Sequence, residues 1–371
     1  MTSEKIPDPL KTKNVGDHPD GILIVELYND GRVVQSYFGK VQDLRYADNP
    51  SQTAAQYGHD TFLGTLRELK TGKQGPSLTN MEDIIYATVS VGFFDAPTVA
   101  IMKHENPSGF ATQYEKKPLV DTYEKACDAD RKAAFGGADV FNTPIDKDTA
   151  EAIRELFTEV LVAPGYEEGV VDSFKGSIRI FEYNPEKFMA IPRFTGDPSG
   201  PRYKSEPDGT LMRYDPLLTP IGTTEELKRY VVSERQPTGN ELRDLLTGYR
   251  IRLRSNSIRL VKNGYTTGIG TGQRDRVSCI AIAASLNRDA EAFARKNGLK
   301  RVADYSIPGS SLISDGFFPQ TDSIELAHSL GITAVLAPHG GENFNKVVAK
   351  ANEYGMAFVD LPGQLRFFSH H

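Results

Sequence analysis

Two adjacent basic residues, Lys103 and His104, follow the apolar run Pro97–Met102 and stand just before Asn106-Pro107-Ser108-Gly109. An imidazole can take a proton near neutral pH, and an ammonium beside it can polarise a carbonyl oxygen. An exposed loop edge carries the same pair, so the residues alone leave both roles open. Gly268-x-Gly270-x-Gly272 is a second candidate, because glycines let the backbone approach a phosphate. Its continuation, Gln273-Arg274-Asp275-Arg276, breaks the spacing of a dinucleotide fingerprint, and nothing downstream marks a ribose-binding acid. A glycine-rich turn that aims Arg276 into a site fits better. Arg45 offers a planar donor fork suited to phosphate, or simply a surface arginine. Phe317-Phe318-Pro319 reads as core or as the wall of a site for a flat heterocycle. No Ser-His-Asp elbow, P-loop, CxxC or HExxH occurs, and the terminal His370-His371 pair has no acid or thiol at ligand spacing, so no metal is expected.

The elements that must position these groups read as an α/β protein. A turn at Asn29-Asp30-Gly31 folds Gly21–Phe38 into a hairpin, and Asn263-Gly264 pins a second one. Asn80 reads as the N-cap of a helix reaching Val91, and Asp275 as the cap of a long helix ending at Asn297-Gly298. The run before Lys103 reads as a strand that should lead through a turn into a helix. From residue 311 onward strands and helices alternate, which points to a layered sheet. The segment 184–220, rich in Pro, Gly, Asp and Arg, reads as an extended connector. The organisation expected is therefore a flexible leader at 1–20, a first subdomain at 21–183, the connector, and a second subdomain at 221–371, with a similar rhythm in the two subdomains.

Composition narrows the partners. At 371 residues there is chain enough for two cores, and no apolar run approaches the roughly 20 residues of a bilayer crossing. A net charge of −6 argues against a nucleic-acid partner while leaving small anions open to a few local arginines. Cys127 and Cys279, the only two cysteines, cannot build a disulfide framework and fit a cytoplasmic protein.

Taken together and in order, several segments resemble the AICAR transformylase part of the bifunctional purine biosynthesis protein. These are LRYADNPSQTAAQY, IMKHENPSG, AAFGG, VLVAPGYEE, VVSERQPT, SNSIRLVKNGYTTGIGTGQRDR, SDGFFPQTD and LRFFSHH, spread from about Gly21 to His371. The resemblance implies two cytidine-deaminase-like α/β/α halves without the deaminase zinc, and a homodimer with sites at its interface. It implies formyl transfer from 10-formyltetrahydrofolate to the amine of AICAR. Lys103 and His104 then fall on the catalytic pair and Asn256 on the third catalytic position. Arg45, Asn80, Gly136, Glu159, Arg366 and His370 fall where the family binds the nucleotide. Arg276, Phe135, Phe317, Pro319 and Asp322 fall where it binds folate. Three departures stand out. The cyclohydrolase part is not expected before Gly21, so ring closure would fall to a separate enzyme. The family's histidine in its NPHQ block is Ser51, and its Phe-Arg-Asp is Gln320-Thr321-Asp322. The alternatives are a paralogue with another donor or amine, and a nucleotide-binding regulator without turnover.

Overall fold

A computed structural model describes residues 13, 15–72 and 74–363. The chain opens with a three-stranded antiparallel sheet, β1 (Gly21–Leu27), β2 (Val33–Asp43) and β3 (Ala55–Tyr57). The first half continues through β4 (Arg67–Lys70), α1 (Leu78–Val91), β5 (Thr98–Lys103), β6 (Asn106–Thr112), α2 (Leu119–Ala129) and α3 (Arg131–Ala134). It goes on with β7 (Ala138–Phe141), α4 (Lys147–Arg154), β8 (Val160–Ala163), α5 (Val170–Ser173) and β9 (Arg179–Glu182). The segment 184–220 holds a short helix, α6 (Pro185–Met189), and a two-stranded hairpin, β10 (Arg202–Ser205) with β11 (Leu211–Tyr214). The second half comprises α7 (Thr224–Lys228), α8 (Gly239–Arg250), β12 (Ser257–Lys262), β13 (Tyr265–Thr271) and α9 (Arg276–Lys296). Then follow β14 (Ser311–Ser314), α10 (Asp322–Ser329), β15 (Ala334–Pro338), α11 (Phe344–Glu353) and β16 (Ala357–Leu361).

Eleven of these strands form one mixed sheet, ordered β16-β15-β14-β12-β13-β6-β5-β7-β8-β9-β4. The two hairpins β5–β6 and β12–β13 meet at its centre, where Tyr265 pairs with Ala111 and the Gly264 carbonyl accepts from the Thr112 amide at 2.9 Å. Parallel pairs run outward on each side, β7–β8–β9 and β14–β15–β16.

Helices cover both faces because the strands are apolar on both. On β5, Val99 and Ile101 face α2 and α4 while Ala100 and Met102 face α1, as the two-residue period of a strand requires. On β12, Ile258 and Leu260 pack under α9, and Val261 packs under α8. Each of the larger of these side chains, fully buried, contributes roughly 1.5–3 kcal/mol. Two glycines allow the closest helix–strand approaches. A Cβ at Gly109 would lie 1.8 Å from the Ala126 carbonyl oxygen, and one at Gly270 would lie 2.0 Å from that of Cys279. Gly268 and Gly270 therefore belong to β13 and seat α9, and only Gly272, with φ 70°, is in the turn. Cys127 and Cys279 are both buried, and burial pushes their thiols up to about 12 and about 11.

Two local expectations are corrected. Ser77, not Asn80, caps α1: its side chain accepts from the Asn80 amide, and Asn80 Oδ1 accepts from the Ser77 amide at 3.1 Å, closing a capping box. Lys103-His104 leads not into a helix but into a tight hairpin, since Asn106-Pro107-Ser108-Gly109 is the start of β6. Pro107 is accommodated there beside a shift of register between Ile101 and Met102. Among the described residues no helix is long and apolar enough to cross a membrane, and no group of three or more His, Cys, Asp or Glu could hold a metal ion.

Candidate active site

The β5–β6 turn is unusual in its backbone. His104 and Glu105 both adopt left-handed conformations, φ 53° and 62°, which cost non-glycine residues roughly 1–2 kcal/mol each. Asp83 of α1 offsets that cost. Its buried carboxylate accepts from the Glu105 amide at 2.6 Å and also from the His104 amide. Burial pushes Asp83 up to about 6, against the pull of those two amides. The turn thus presents an exposed imidazole on a fixed backbone, with Lys103 half-buried behind it. Lys103 Nζ donates to the Phe135 carbonyl at 2.7 Å, which anchors the ammonium to the loop after α3. A cavity of about 230 Å³ opens beside the turn, between α3 and α9, with Lys103, His104, Ser108, Asp130 and Thr271 on its wall.

One group of predicted residues gathers beyond Phe135. Gly136, at φ 72°, donates to the Phe157 carbonyl at 2.6 Å, and Gly137 accepts from the Glu159 amide at 3.0 Å. The Glu159 carboxylate lies 3.6 Å from Arg45 and 3.0 Å from Arg179. Arg45 sits beside the start of α1, because its amide bonds to the Pro76 carbonyl and Tyr46 accepts from the Leu78 amide. Asn80 is therefore in the same neighbourhood. Arg179 is fully buried and donates through Nε to the Gly75 carbonyl at 2.5 Å. Burial, then the neighbouring Arg45 guanidinium, pulls its pKa down. Two guanidiniums meet at the Glu159 carboxylate, with the Glu68 carboxylate also within electrostatic reach of Arg179, and this cationic corner offers planar donor forks suited to an anion such as phosphate.

Arg179 and Asp83 were not singled out by sequence reasoning. Arg179 looks like an ordinary first residue of a strand, and Asp83 like a polar position on an amphipathic helix. Glu82 was missed as well. Burial, then the carboxylates of Glu105, Asp48 and Asp83, pushes it up to about 7 beside the same turn.

The second group surrounds Asp315, which is buried at the end of β14. Its oxygens accept from Ser255 Oγ at 2.7 Å and the Ser257 amide at 3.0 Å, and Arg276 Nη2 lies 3.5 Å away. This brackets Asn256, whose Nδ2 donates to the Gln273 carbonyl at 2.7 Å. The guanidinium of Arg276 lies over Gly316, where a Cβ would come within 2.0 Å of it, and its buried Nε has no hydrogen-bond partner among the described residues. Phe317 rests against Gly341, and Pro319 and Asp322 lie on the exposed loop and first turn of α10. The departing residues are held by the protein itself, since Gln320 Oε1 accepts from Asn343 and Thr321 Oγ1 bonds to Glu325 at 2.8 Å.

Arg254 joins the two halves of the site. It reaches Glu105 at 2.5 Å, and its amide donates to Asn106 Oδ1 at 3.1 Å. The segment bearing Asn256, just before β12, is thereby fixed to the Lys103-His104 turn. Phe135 stands apart from the other residues expected to meet folate: it belongs to the Lys103 side, packs on Phe157 with ring centroids 5.3 Å apart, and is 55% exposed. Arg366 and His370 lie outside the described residues.

The sequence model of the AICARFT/IMPCHase bienzyme family matches residues 20–286 of this chain. Curated relatives agree. The bifunctional purine biosynthesis protein PurH of Chlorobaculum parvum is 36% identical over 359 residues, covering 93% of this chain and 62% of that protein. The PurH proteins of Parvibaculum lavamentivorans and Persephonella marina are 38% and 35% identical, covering 89% and 90% of this chain and 59% and 60% of their own length. The chain thus spans about three fifths of the relatives it matches.

Proposed function

The chain belongs to the AICARFT/IMPCHase bienzyme family, and from that premise we propose that it transfers a formyl group from 10-formyltetrahydrofolate to the 5-amino group of AICAR. The observation that carries this reading is the Arg254 bridge, which holds Lys103, His104 and the Asn256 segment together although they come from opposite halves of the sheet. A binder of nucleotide alone has little use for that convergence. The matching strand order on the two sides of the β6–β13 seam supports two cytidine-deaminase-like halves, with boundaries near 21–183 and 221–371.

In this mechanism Arg45 and Arg179 hold the substrate phosphate, with Glu159 fixing both guanidiniums and Asn80 and Gly136 bordering the nucleotide. His104 takes the proton from the substrate amine as its nitrogen attacks the formyl carbon; when the tetrahedral adduct collapses, the bond from that carbon to folate N10 breaks and the same imidazolium returns the proton to N10, so that tetrahydrofolate leaves. That amine is a poor nucleophile, because its lone pair spreads into the imidazole carboxamide, so base assistance matters. Lys103 and the Asn256 amide stabilise the negative charge that develops on the formyl oxygen. Arg276, Phe317, Pro319 and Asp322 receive the folate. The Nε of Arg276 and the aromatic flank of Phe317 fit a ligand with a flat ring and anionic groups. Phe135 extends outward on the nucleotide side, which favours a homodimer in which it meets folate bound by the partner subunit. Holding amine and formyl carbon in register supplies several kcal/mol of the acceleration. Two buried free thiols favour a reducing cytoplasm.

The test is a spectroscopic assay on purified protein with AICAR and 10-formyltetrahydrofolate, following tetrahydrofolate. Turnover should be present in the wild type and lost in Lys103→Ala and His104→Ala, with AICAR affinity within an order of magnitude of wild type. Undiminished turnover in both variants would remove the pair from the mechanism. AICAR binding without turnover in the wild type would point to another formyl donor or to a retired enzyme.

A further inference from the structure

A cavity of about 460 Å³ opens between the two halves, at the opposite end of the β5–β6 hairpin from the Lys103-His104 turn. Asp95 and Ala96, shortly before β5, and Thr112, the last residue of β6, are on its wall, so roughly 17 Å of strand separates it from Lys103. None of the residues assigned above to catalysis, nucleotide or folate lines it. Three arginines do: Arg193, which follows α6, and Arg243 and Arg250, which stand about two turns apart on α8.

Carbonyls and aromatic rings position these guanidiniums. Arg193 is buried, and its Nη1 and Nη2 donate to the Phe188 and Met189 carbonyls, both at 3.3 Å. Arg250 donates to the Phe93 carbonyl at 3.2 Å and the Gly222 carbonyl at 2.6 Å, and Arg243 to the Tyr114 carbonyl at 3.0 Å. Arg243 also lies over the Tyr114 ring, 3.8 Å from its centroid, and Arg250 over the Phe94 ring, at 5.3 Å. A guanidinium has five donors, so these carbonyls leave most of them unused. The Nε atoms of Arg193 and Arg250 are buried and have no hydrogen-bond partner among the described residues. Asp95, which is exposed, is the one carboxylate among the residues that line the cavity. Three more carboxylates act on the arginines from behind and are held by backbone amides. Asp197 accepts from Arg193 and Phe194, Glu226 from Gly222 and Thr223, and Asp244 from Asn263 and Gly264. Burial pulls Arg250 down to about 10, against the opposing effect of Asp95 and Glu226.

We propose that this cavity is a binding site, separate from the candidate active site, for a diphosphate group. Three donor forks around one cavity suit an anion with several oxygens, and a diphosphate reaches more of them than a single phosphate does. The faces of Tyr114 and Phe94 already carry guanidiniums, so the site recognises the anion rather than a flat ring. An occupant would also join the two halves. Arg193 lies against the end of α1, where a Cβ at Gly92 would come within 2.5 Å of its Nη1, whereas Arg243 and Arg250 belong to the second half. A bound diphosphate therefore acts across the same division that Arg254 crosses at the candidate active site.

The experiment is isothermal titration calorimetry of the full chain with pyrophosphate. A second arm with ADP distinguishes a free diphosphate from one carried on a nucleoside, and inorganic phosphate and sulfate are the controls. Pyrophosphate, ADP or both should bind at a site that Arg243→Gln and Arg250→Gln each weaken at least tenfold and that Arg45→Ala leaves within twofold. Asp95→Asn, which removes the carboxylate from the wall, should tighten binding about threefold. Phosphate and sulfate should each bind at least tenfold more weakly. Asp95 is exposed, so its variant reports even if a change at a half-buried arginine disturbs folding. The proposal is overturned if neither diphosphate binds at millimolar concentration, if sulfate binds as tightly, if Asp95→Asn leaves the affinity unchanged or lower, or if only Arg45→Ala removes binding. Formyl transfer is not read in this experiment, so its outcome is independent of the function proposed above.

Discussion

Replacing Asp83 by asparagine should separate stability from activity, and in opposite directions. The wild-type carboxyl is pushed from 3.8 up to about 6 by burial. The sign follows directly. Between those values the unfolded chain ionises the group while the folded chain retains its proton, so stability falls as pH rises through the window. Above about pH 6 the ionised group costs the fold on the order of 3 kcal/mol, at about 1.4 kcal/mol per pH unit. Asparagine does not titrate and removes that cost. It also replaces charge-assisted bonds to the His104 and Glu105 amides, about 1.5–3 kcal/mol each, by neutral ones worth about 0.5–1.5 kcal/mol. The turn then has less to oppose roughly 2–4 kcal/mol of left-handed backbone cost at two residues. Two bonds each weakened by about 1–1.5 kcal/mol lose about 2–3 kcal/mol at the turn, a decrease of roughly 30- to 150-fold in its working conformation.

Urea denaturation and formyl-transfer kinetics at pH 8 decide the matter. Asp83→Asn should be at least as stable as wild type, with kcat down tenfold or more and KM for AICAR little changed. Asp83→Ala should lose more activity, since it leaves both amides without an acceptor. If Asp83→Asn keeps kcat within twofold, or loses activity only in step with stability, Asp83 does not position the turn.

Two other perturbations test the surroundings. Arg179→Met strips the buried partner from Glu159 and half the cationic corner; it should cost about 3–5 kcal/mol in chemical denaturation and weaken AICAR binding at least tenfold by calorimetry. Arg179→Lys should restore part of the stability but little of the affinity, and equal affinity in both variants would place the phosphate elsewhere. Asp139, fully buried on β7 with Thr158 Oγ1 donating to it at 2.9 Å, is pushed from 3.8 up to about 7 by burial. Its contribution runs in the same direction, with stability lost as pH rises from about 4 to 7, by up to roughly 4 kcal/mol. Asp139→Asn should therefore shrink the difference in unfolding free energy between pH 4 and pH 8, and an unchanged difference would mean the carboxyl is solvated.

The strands and helices of the second half were legible because their signals are local. Asn263-Gly264 turns β12 into β13 with left-handed backbone at both residues, and Asp275 caps α9 by accepting from the Ser278 amide. The turn at Lys103-His104 was misread for a physical reason. Asn-Pro-Ser-Gly carries strong turn chemistry, but the turn is made one step earlier, where Asp83 stabilises left-handed His104 and Glu105 from a helix twenty residues upstream. No local rule contains that contact. The Gly268–Gly272 turn was legible only in part, since Gly268 and Gly270 answer to the packing of α9 and Gly272 alone makes the turn that precedes Arg276. Among site residues, exposed or loop-borne groups such as Arg45 and Arg276 could be suspected from chemistry alone. Asn256, Gly136 and Glu159 had only the family resemblance to mark them, because each meets neighbours distant in sequence.

Those distant neighbours place the candidate site at the sheet's centre. The β6–β13 seam is the one join between the two sets of strands in the sheet order, and Arg254 crosses beside it to Glu105 and Asn106. A rotation of one half against the other would move the Asn256 segment relative to His104, and tolerance for such movement in group transfer is small. Backbone pairing alone fixes the seam weakly, with a single bridged pair, Tyr265 with Ala111. Side chains reinforce it from both faces. On one, Arg301 of the second half donates to the Asp128 carbonyl at the end of α2 at 2.8 Å; on the other, Tyr114 Oη donates to Asp244 on α8 at 2.8 Å. The geometry of the candidate site is thus set by contacts between the halves, and the halves are not independent modules, since Tyr265 and Tyr305 pack into one core of the first half and Ile251 and Leu253 into the other.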